Sequence, residues 1–134
     1  MARSHVSRFV ISLVACAGLA AADHARAQSQ LDMNITADQA ARDAQAQLDK
    51  TIQTYRRRLT SNQKRLFDLS QHRWEKYRRA ACEFQSSGAA GGSIQPMVVS
   101  YCWRDYTIDR LRVLKYLLTC AEGDSSCPVV NHGT

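Results

Sequence analysis

The spacing of Asp68, His72 and Glu75 is the feature of this sequence that comes nearest to acid–base chemistry. His72 follows Asp68 by four residues and precedes Glu75 by three, so a helix would place the imidazole beside a carboxylate. A catalytic site also needs a second positioned group or a nucleophile next to its base. No serine or free cysteine obviously joins these residues, and surface ion pairing explains them more simply. The sequence therefore predicts a protein that is not an enzyme and uses no cofactor.

A cluster of basic residues could bind an anionic partner. Nine cations stand against Asp68 and Glu75 between positions 56 and 79: Arg56, Arg57, Arg58, Lys64, Arg65, Arg73, Lys76, Arg78 and Arg79. Intervals of seven, four and three place Arg65, His72, Lys76 and Arg79 on one helix face. Such a face could bind anionic lipid, acidic glycan or nucleic acid. An ordinary solvated helix face is the more frequent meaning of a charge run.

A second set of polar residues could recognise a carboxylate. Arg78 and the pair Thr107 and Arg110, one helix turn apart, could line a groove between the second and third helical segments. In the alternative, structural interpretation, the two arginines pair with Asp105, Asp109 or helix-end carbonyls and fix the register of the helices. Spacing alone favours the structural interpretation.

The aromatic residues divide into two groups. Trp74, Tyr77 and Tyr101 occur at helical spacing among apolar residues, which predicts core packing. Trp103 lies off the apolar stripe of its segment, next to Cys102. We therefore expect Trp103 to be partly exposed and available to a partner.

The first 27 residues predict export. Arg3, His5 and Arg8 precede an apolar run over residues 9–22, and residues 25–27 form a small-x-small cleavage site. The run of about 14 residues is too short for a helix to cross a hydrocarbon core of ~30 Å. We expect cleavage after Ala27 and a periplasmic or secreted product without a transmembrane anchor. The alternative is a lipoprotein, because residues 13–16 resemble a lipobox that ends at Cys16.

Cysteine chemistry follows from export. Removal of Cys16 with the leader leaves four cysteines, Cys82, Cys102, Cys120 and Cys127. An even number in a short exported chain predicts disulfides, with three possible pairings. The chain has no C-x-x-C motif, and few histidines remain after cleavage, so the sequence predicts no metal site. Export also makes nucleic acid an unfavoured partner.

Composition bounds the fold to one small helical domain. The chain has 134 residues with only two prolines and six glycines, and it is 45% hydrophobic and 22% charged. One core is expected at this length, and the scarcity of turn residues argues against a β-sandwich or barrel. After cleavage, 15 positive and 11 negative side chains remain, a net charge of +4.

Three amphipathic segments follow the leader. The first is predicted to begin at Thr36, with Gln39 completing a capping box, and its apolar positions run to Leu59. Residues 60–62 indicate a break, although one continuous helix over 36–86 remains an alternative. The second segment buries a stripe that ends near Gln85; its members are Phe67, Ser70, Trp74, Tyr77, Ala81 and Phe84. The third opens at Ser93, after a glycine-rich loop, and ends near Cys120.

These segments predict an all-α protein, a three-helix antiparallel bundle or hairpin stapled by disulfides. The domain is expected over residues 28–122, followed by a tethered tail over 123–134. Cys82 falls near the end of the second helix and Cys102 two turns into the third, so an antiparallel pair could join them. Cys120 and Cys127 would then hold the tail to the last helix turn.

Several of these residues together resemble the LprI-like family, small exported bacterial proteins named after a mycobacterial lysozyme inhibitor. The resemblance covers about residues 33–118, and it rests on Gln71, Trp74, Tyr77, Arg78, Cys82, Gly91, Gly92, Ser93, Pro96, Met97, Cys102, Thr107 and Arg110. It implies a helical domain, a Cys82–Cys102 bridge and an envelope or secreted location. Family members usually carry Asp directly after the motif arginine, whereas this chain has Arg79.

Two functions remain open at this point. The first is an exported, non-enzymatic interaction protein of the LprI type, whose partner could be a lysozyme or another envelope protein. Common animal lysozymes are basic, however, and two net-positive proteins repel one another during encounter. The second is an envelope module that binds anionic lipid or glycan through Arg65, Arg73, Lys76 and Arg79.

Overall fold

The computed structural model describes residues 4–121 and 123–128, with side chains from residue 27 onward. It contains the helices α1 (Ser4–Arg57), α2 (Ser61–Ser86) and α3 (Gln95–Leu118), and a 3-10 turn over Ser87–Ala89 follows α2. No strand occurs among these residues. The prediction of an all-α, three-helix protein is confirmed, and residues 36–86 form two helices.

The helices follow an up-down-up path, so neighbours in sequence are antiparallel and α1 runs parallel to α3. Asn34 Nδ2 donates to the Ser93 carbonyl at 3.1 Å near the start of α3. At the opposite end, Arg58 Nη1 donates to the Leu118 carbonyl at 3.2 Å. These two contacts hold α1 alongside the whole length of α3.

The break between α1 and α2 is a capping box at Thr60. The Gln63 backbone N–H donates to Thr60 Oγ1, and Gln63 Oε1 accepts from the Thr60 backbone N–H at 2.9 Å. This arrangement satisfies two backbone donors at the start of the new helix. The predicted break is confirmed, and a cap produces it without Gly or Pro.

Two predicted helix starts are wrong. Thr36 lies inside α1, where its hydroxyl donates to the Asp32 carbonyl at 2.9 Å, a bond that a threonine can form within a helix. Ile94 rather than Ser93 caps α3, and no side chain bonds to that end. Pro96 is tolerated in the first turn because its missing N–H would have no partner there. The helix ends at Leu118, two residues before the predicted end.

The core lies where all three helices meet. Leu48 and Tyr55 of α1 pack with Phe67 of α2 and Leu114 of α3, and the Tyr55 and Phe67 rings lie 4.9 Å apart. Full burial of each such side chain contributes about 1.5–3 kcal/mol. The predicted apolar stripe of the first helix is therefore confirmed.

Two disulfides complete the fold. Cys82 and Cys102 join α2 to α3 with their Cα atoms 5.7 Å apart. Cys120 and Cys127 close a short loop after α3 with a Cα separation of 5.9 Å. Gly123, at φ 89°, provides the left-handed backbone that this loop needs. The predicted pairing is confirmed.

The buried face of α2 differs from the prediction. Tyr77 and Phe84 are 60% and 79% exposed, whereas Gln71 and Arg78 are buried. Tyr77 is therefore not a core residue, and its ring instead meets that of Tyr106 at 5.7 Å near the surface. The polar residues turn inward because they find hydrogen-bond partners on α1 and α3. A buried polar group is stable only when such partners are present.

Several predictions fall outside these limits. The basic leader, the cleavage after Ala27 and lipidation of Cys16 concern residues at the boundary of, or before, the part whose side chains are described. The end of the predicted tail, residues 129–134, likewise lies beyond it. Within the described residues, no helix is both long and apolar enough to cross a membrane.

Candidate functional site

Arg78 links the three helices. Its guanidinium Nη1 donates to Gln45 Oε1 on α1 at 2.8 Å and to Thr107 Oγ1 on α3 at 2.6 Å. Arg78 is 5% exposed and Thr107 is 1% exposed. The Thr107 hydroxyl donates to the Trp103 carbonyl at 2.6 Å, which leaves its lone pairs free to accept from Arg78.

Two tryptophan rings enclose the same guanidinium. The Arg78 Cζ lies 4.6 Å from the centroid of Trp74 and 4.3 Å from that of Trp103. Cation–π contacts at these distances stabilise a charge that has lost part of its water. Trp103 is half-buried, which agrees with the expectation that it is partly exposed.

No carboxylate neutralises Arg78 directly. The ion pairs among the described side chains involve other arginines, and Arg78 Nε is buried without a hydrogen-bond partner. Burial lowers the pKa of Arg78, the charges of Glu75 and Asp49 raise it, and the neighbouring charge of Arg79 lowers it. Arginine nevertheless remains protonated in proteins. The site therefore holds a buried positive charge without a contacting counter-ion.

A groove opens beside this charge. Its volume is about 360 Å³, and it is lined by Asp38, Ala41, Arg42, Gln45, Arg78, Val99, Ser100, Trp103 and Thr107. We call it the Arg78 groove. Its walls come from α1 and α3, and Arg78 is the one residue that α2 contributes. The sequence predicted a groove between the second and third helices, and that predicted location is wrong.

Polar groups at the groove offer more than one kind of bond. Arg42 forms an ion pair with Asp38, and both side chains are largely exposed. Arg78 and Thr107 lie deeper, with Trp103 as the aromatic wall. A carboxylate that entered the groove would meet guanidinium donors, and the geometry of a guanidinium matches that of a carboxylate.

Arg110 belongs to a different part of the α2–α3 interface. Its Nε donates to Gln71 Oε1 at 2.6 Å and its Nη2 donates to Ser70 Oγ at 3.2 Å. Arg110 lines a second cavity, of about 290 Å³, together with Tyr55 and Leu114. Burial lowers the pKa of Arg110, and the nearby Tyr55 raises it. The structure therefore does not bring Arg110 into the Arg78 groove.

The predicted ion-pair partners of the two arginines are wrong. Asp105 pairs with Arg104, at 2.7 Å, and Asp109 pairs with Arg112, at 2.8 Å. Both are local pairs on the exposed side of α3. The interior instead uses neutral acceptors, Gln45, Gln71 and Thr107, which cost less to bury than carboxylates do.

The remaining candidate residues lie on the surface of α2. Arg65, Arg73, Lys76 and Arg79 are all exposed. Asp68 pairs with Arg56 across the α1–α2 turn at 3.1 Å, and exposed His72 forms no ion pair with it or with Glu75. No group of three or more His, Cys, Asp or Glu side chains within the described ranges could hold a metal ion.

The sequence did not identify the residues that α1 contributes. Gln45 accepts from Arg78 across 33 positions, and Arg42 and Asp38 form the groove rim. The position of Gln45 beside the apolar stripe residue Ala44 was the only available signal, and it does not specify a partner. Contacts between distant helices depend on the packing of the bundle.

The fold is that of a small helical protein stapled by disulfides. A family model described as "Lysozyme inhibitor LprI" matches residues 20–114. An uncharacterized protein of Rhizobium meliloti (strain 1021) is 36% identical over 113 residues, which cover 75% of this chain and 81% of that relative. No solved structure matches the chain. The chain belongs to the LprI lysozyme inhibitor family.

Proposed function

We propose that this protein is exported and inhibits a lysozyme by binding it, without catalysing a reaction. The family it belongs to is described by lysozyme inhibition. Its N-terminal sequence has the features of a secretion signal with cleavage after Ala27, which would release a domain over residues 28–122 and a tethered tail. Two disulfides suit the oxidising compartments outside the cytoplasm.

The observation that carries the binding site is the unpaired charge of Arg78 beside an open groove. A buried guanidinium without a counter-ion has lost hydration and gained no ion pair. An Asp or Glu side chain of the target would supply the missing ion pair. We therefore place the target's carboxylate in the Arg78 groove, with Trp103 as an aromatic contact beside it.

Lysozymes offer carboxylates to such a site. Glycoside hydrolases carry a catalytic pair of Asp or Glu residues, and other acidic side chains occur on their surfaces. A groove is concave, so it can receive a side chain that protrudes from the enzyme surface but cannot reach a carboxylate at the bottom of the enzyme's cleft. The proposed contact is therefore a surface carboxylate of the lysozyme, and the body of the bundle would obstruct the substrate cleft.

The net charge of the inhibitor restricts which lysozymes bind quickly. The mature chain carries +4, so a basic lysozyme is repelled during diffusional encounter even though the bound contact is attractive. Added salt screens that repulsion. Association with a basic lysozyme should therefore accelerate as ionic strength increases. At low salt, a neutral or acidic lysozyme should associate faster than a basic one.

The experiment is an inhibition titration with the mature, oxidised protein. Cell-wall hydrolysis by lysozymes of different net charge is followed while the protein is added in excess. A saturable loss of activity supports the proposal. Unchanged activity across the whole set of lysozymes would exclude it.

A further inference from the structure

An exposed row of apolar and basic residues runs along α2. Its members lie three, four or seven positions from others in the set and so share one face of the helix: Leu66, Leu69, Arg73, Lys76, Tyr77, Ala80 and Phe84. We call this set the outer row of α2. It lies on the side opposite the buried residues Phe67, Gln71, Arg78 and Cys82.

The outer row is unusually apolar for a solvent-facing helix surface. Leu66, Leu69, Tyr77 and Phe84 are 51%, 42%, 60% and 79% exposed. The exposed side of an amphipathic helix normally carries polar residues. Large apolar side chains gathered along one exposed line mark an interaction surface more often than isolated ones do.

The charges in and beside this row are mostly positive, although exposed Glu83 flanks it near Phe84. Arg73 and Lys76 lie within it, and neither forms an ion pair with another described residue. Arg65 and Arg79 flank it on the same helix and are also exposed. The row itself contains no Asp or Glu. Its partner must therefore combine an apolar layer with negative charge.

We propose that the outer row docks α2 on the surface of an anionic phospholipid bilayer. Aromatic and aliphatic side chains enter the boundary between headgroups and acyl chains, while Arg and Lys contact the phosphates. The row extends over residues 66–84, about 27 Å at the rise of an α-helix, so it is long enough to contact a membrane along several helix turns. Phe84 and Tyr77 would insert, and Arg73 and Lys76 would remain at headgroup level.

Charge argues against the other occupants of this surface. In a symmetric dimer built on the outer row, Arg73 and Lys76 of both copies would approach one another, and the two flanking Glu83 carboxylates could offset only two of these four charges. A basic lysozyme would meet the same repulsion. The lipid surface therefore complements the row better than either of these partners.

This inference is independent of lysozyme inhibition. Arg78 points to the opposite side of α2, toward α1 and α3, so the groove and the outer row can be occupied together. The inference depends on export only in that the protein must reach an envelope membrane. A docked inhibitor would be concentrated at the envelope.

The test is flotation of the mature, oxidised protein with lipid vesicles. One set contains phosphatidylglycerol mixed with phosphatidylcholine, and the other contains phosphatidylcholine alone. We expect flotation with the anionic vesicles only, with binding that weakens as salt increases. Absence of flotation, or equal flotation with both sets, would overturn the proposal.

Matched variants separate the row from nonspecific attraction. Phe84→Ser should weaken binding roughly tenfold, whereas Tyr116→Ser, at a 66% exposed position of α3, should leave it unchanged. The pair Arg73→Gln and Lys76→Gln should likewise weaken binding roughly tenfold, relative to Arg57→Gln with Lys115→Gln. Equal effects of the test and control variants would show that binding depends on overall charge or hydrophobicity and not on the outer row, which would overturn the proposal. A concentration-dependent dimer that Phe84→Ser abolishes, seen by sedimentation without vesicles, would assign the row to a second copy.

Discussion

Arg78 Nη1 lies 2.6 Å from Thr107 Oγ1, and both residues are buried where α2 meets α3. The Thr107 hydroxyl donates its proton to its own helix at the Trp103 carbonyl, so toward Arg78 it acts only as an acceptor. This relay fixes the orientation of the guanidinium. The Cys82–Cys102 bridge joins the same two helices one turn further along α2.

Replacement of Thr107 by valine tests that relay. Valine keeps the shape of the side chain but removes the acceptor, which leaves a buried guanidinium N–H with one partner fewer. We expect Thr107→Val to lower the free energy of unfolding by about 1–3 kcal/mol. Thr107→Ser keeps the hydroxyl and should cost less. Urea unfolding followed by tryptophan fluorescence measures the free energy of unfolding of both variants. Equal losses in the two would contradict a stabilising role for the Thr107 hydroxyl as the acceptor for Arg78.

Arg78→Lys tests the need for a planar guanidinium between two tryptophans. Lysine keeps the positive charge but cannot stack on Trp74 and Trp103 or present the same fork of donors. We expect a loss of about 2–3 kcal/mol in unfolding free energy. The adjacent exposed Arg79→Lys is the matched control, and its effect should stay within about 0.5 kcal/mol. Similar effects of the two variants would mean that the stacking of Arg78 between the two tryptophan rings contributes little to the free energy of unfolding.

The disulfides should contribute unequally. The Cys82–Cys102 bridge has a sequence separation of 20 and closes the α2–α3 loop, whereas Cys120–Cys127 has a separation of 7. Chain entropy predicts losses of about 3 and about 2.5 kcal/mol when each pair is changed to serine. Differential scanning calorimetry of the two double variants gives the order. A larger loss for the Cys120–Cys127 pair would contradict the prediction.

Stability should fall at alkaline pH because of Tyr55. Burial raises the pKa of Tyr55 above its ordinary value of 10.0, and the charge of Arg110 opposes this in part. Above that pH, the unfolded chain loses a proton that the folded protein keeps, so the free energy of unfolding decreases as pH rises. Tyr55→Phe removes this contribution. Above about pH 10, the free energy of unfolding of this variant should therefore decline less steeply than that of the unmodified protein. Urea titrations at several pH values measure the slope, and the region below pH 9 serves as the internal reference.

The sequence predicted the parts of the fold that depend on local pattern. The stripe from Ala44 to Leu59 lies on the core, and Thr60 separates two helices because its side chain caps the second. The Cys82–Cys102 pairing was compatible with an antiparallel arrangement of neighbouring helices and was implied by the resemblance to the LprI-like family. The stripe and the cap require information from only one helix or one turn, and the bridge requires only that two consecutive helices be antiparallel.

The face that α2 buries could not be obtained in the same way. Phe67 and Trp74 are shared by two possible rows, one that continues through Tyr77 and one that continues through Arg78. Hydropathy favours Tyr77, but the structure buries Arg78, because Gln45 and Thr107 provide acceptors from other helices. Those acceptors are 33 and 29 positions away, beyond the reach of any local pattern. The Arg78 groove was misplaced for the same reason.

An isosteric change at Gln45 tests the central claim most directly. Gln45 Oε1 already accepts from Arg78 Nη1 at 2.8 Å, so Gln45→Glu would supply the missing carboxylate from within the protein. Gln47→Glu, at an exposed position of α1, adds the same charge away from the groove and is the matched control. The Gln45 amide also donates to Asp49 Oδ1 at 2.8 Å. Gln45→Glu therefore gains an ion pair with Arg78 but loses this bond and brings two carboxylates together, so the free energy of unfolding should change by no more than about 1 kcal/mol.

The deciding measurement is lysozyme inhibition by these two variants at equal concentration, with binding measured by calorimetry. If the charge of Arg78 recruits a carboxylate of the target, Gln45→Glu abolishes inhibition although the protein remains folded, and Gln47→Glu inhibits like the unmodified chain. Full inhibition by a folded Gln45→Glu variant would contradict the assignment of the target's carboxylate to the Arg78 groove.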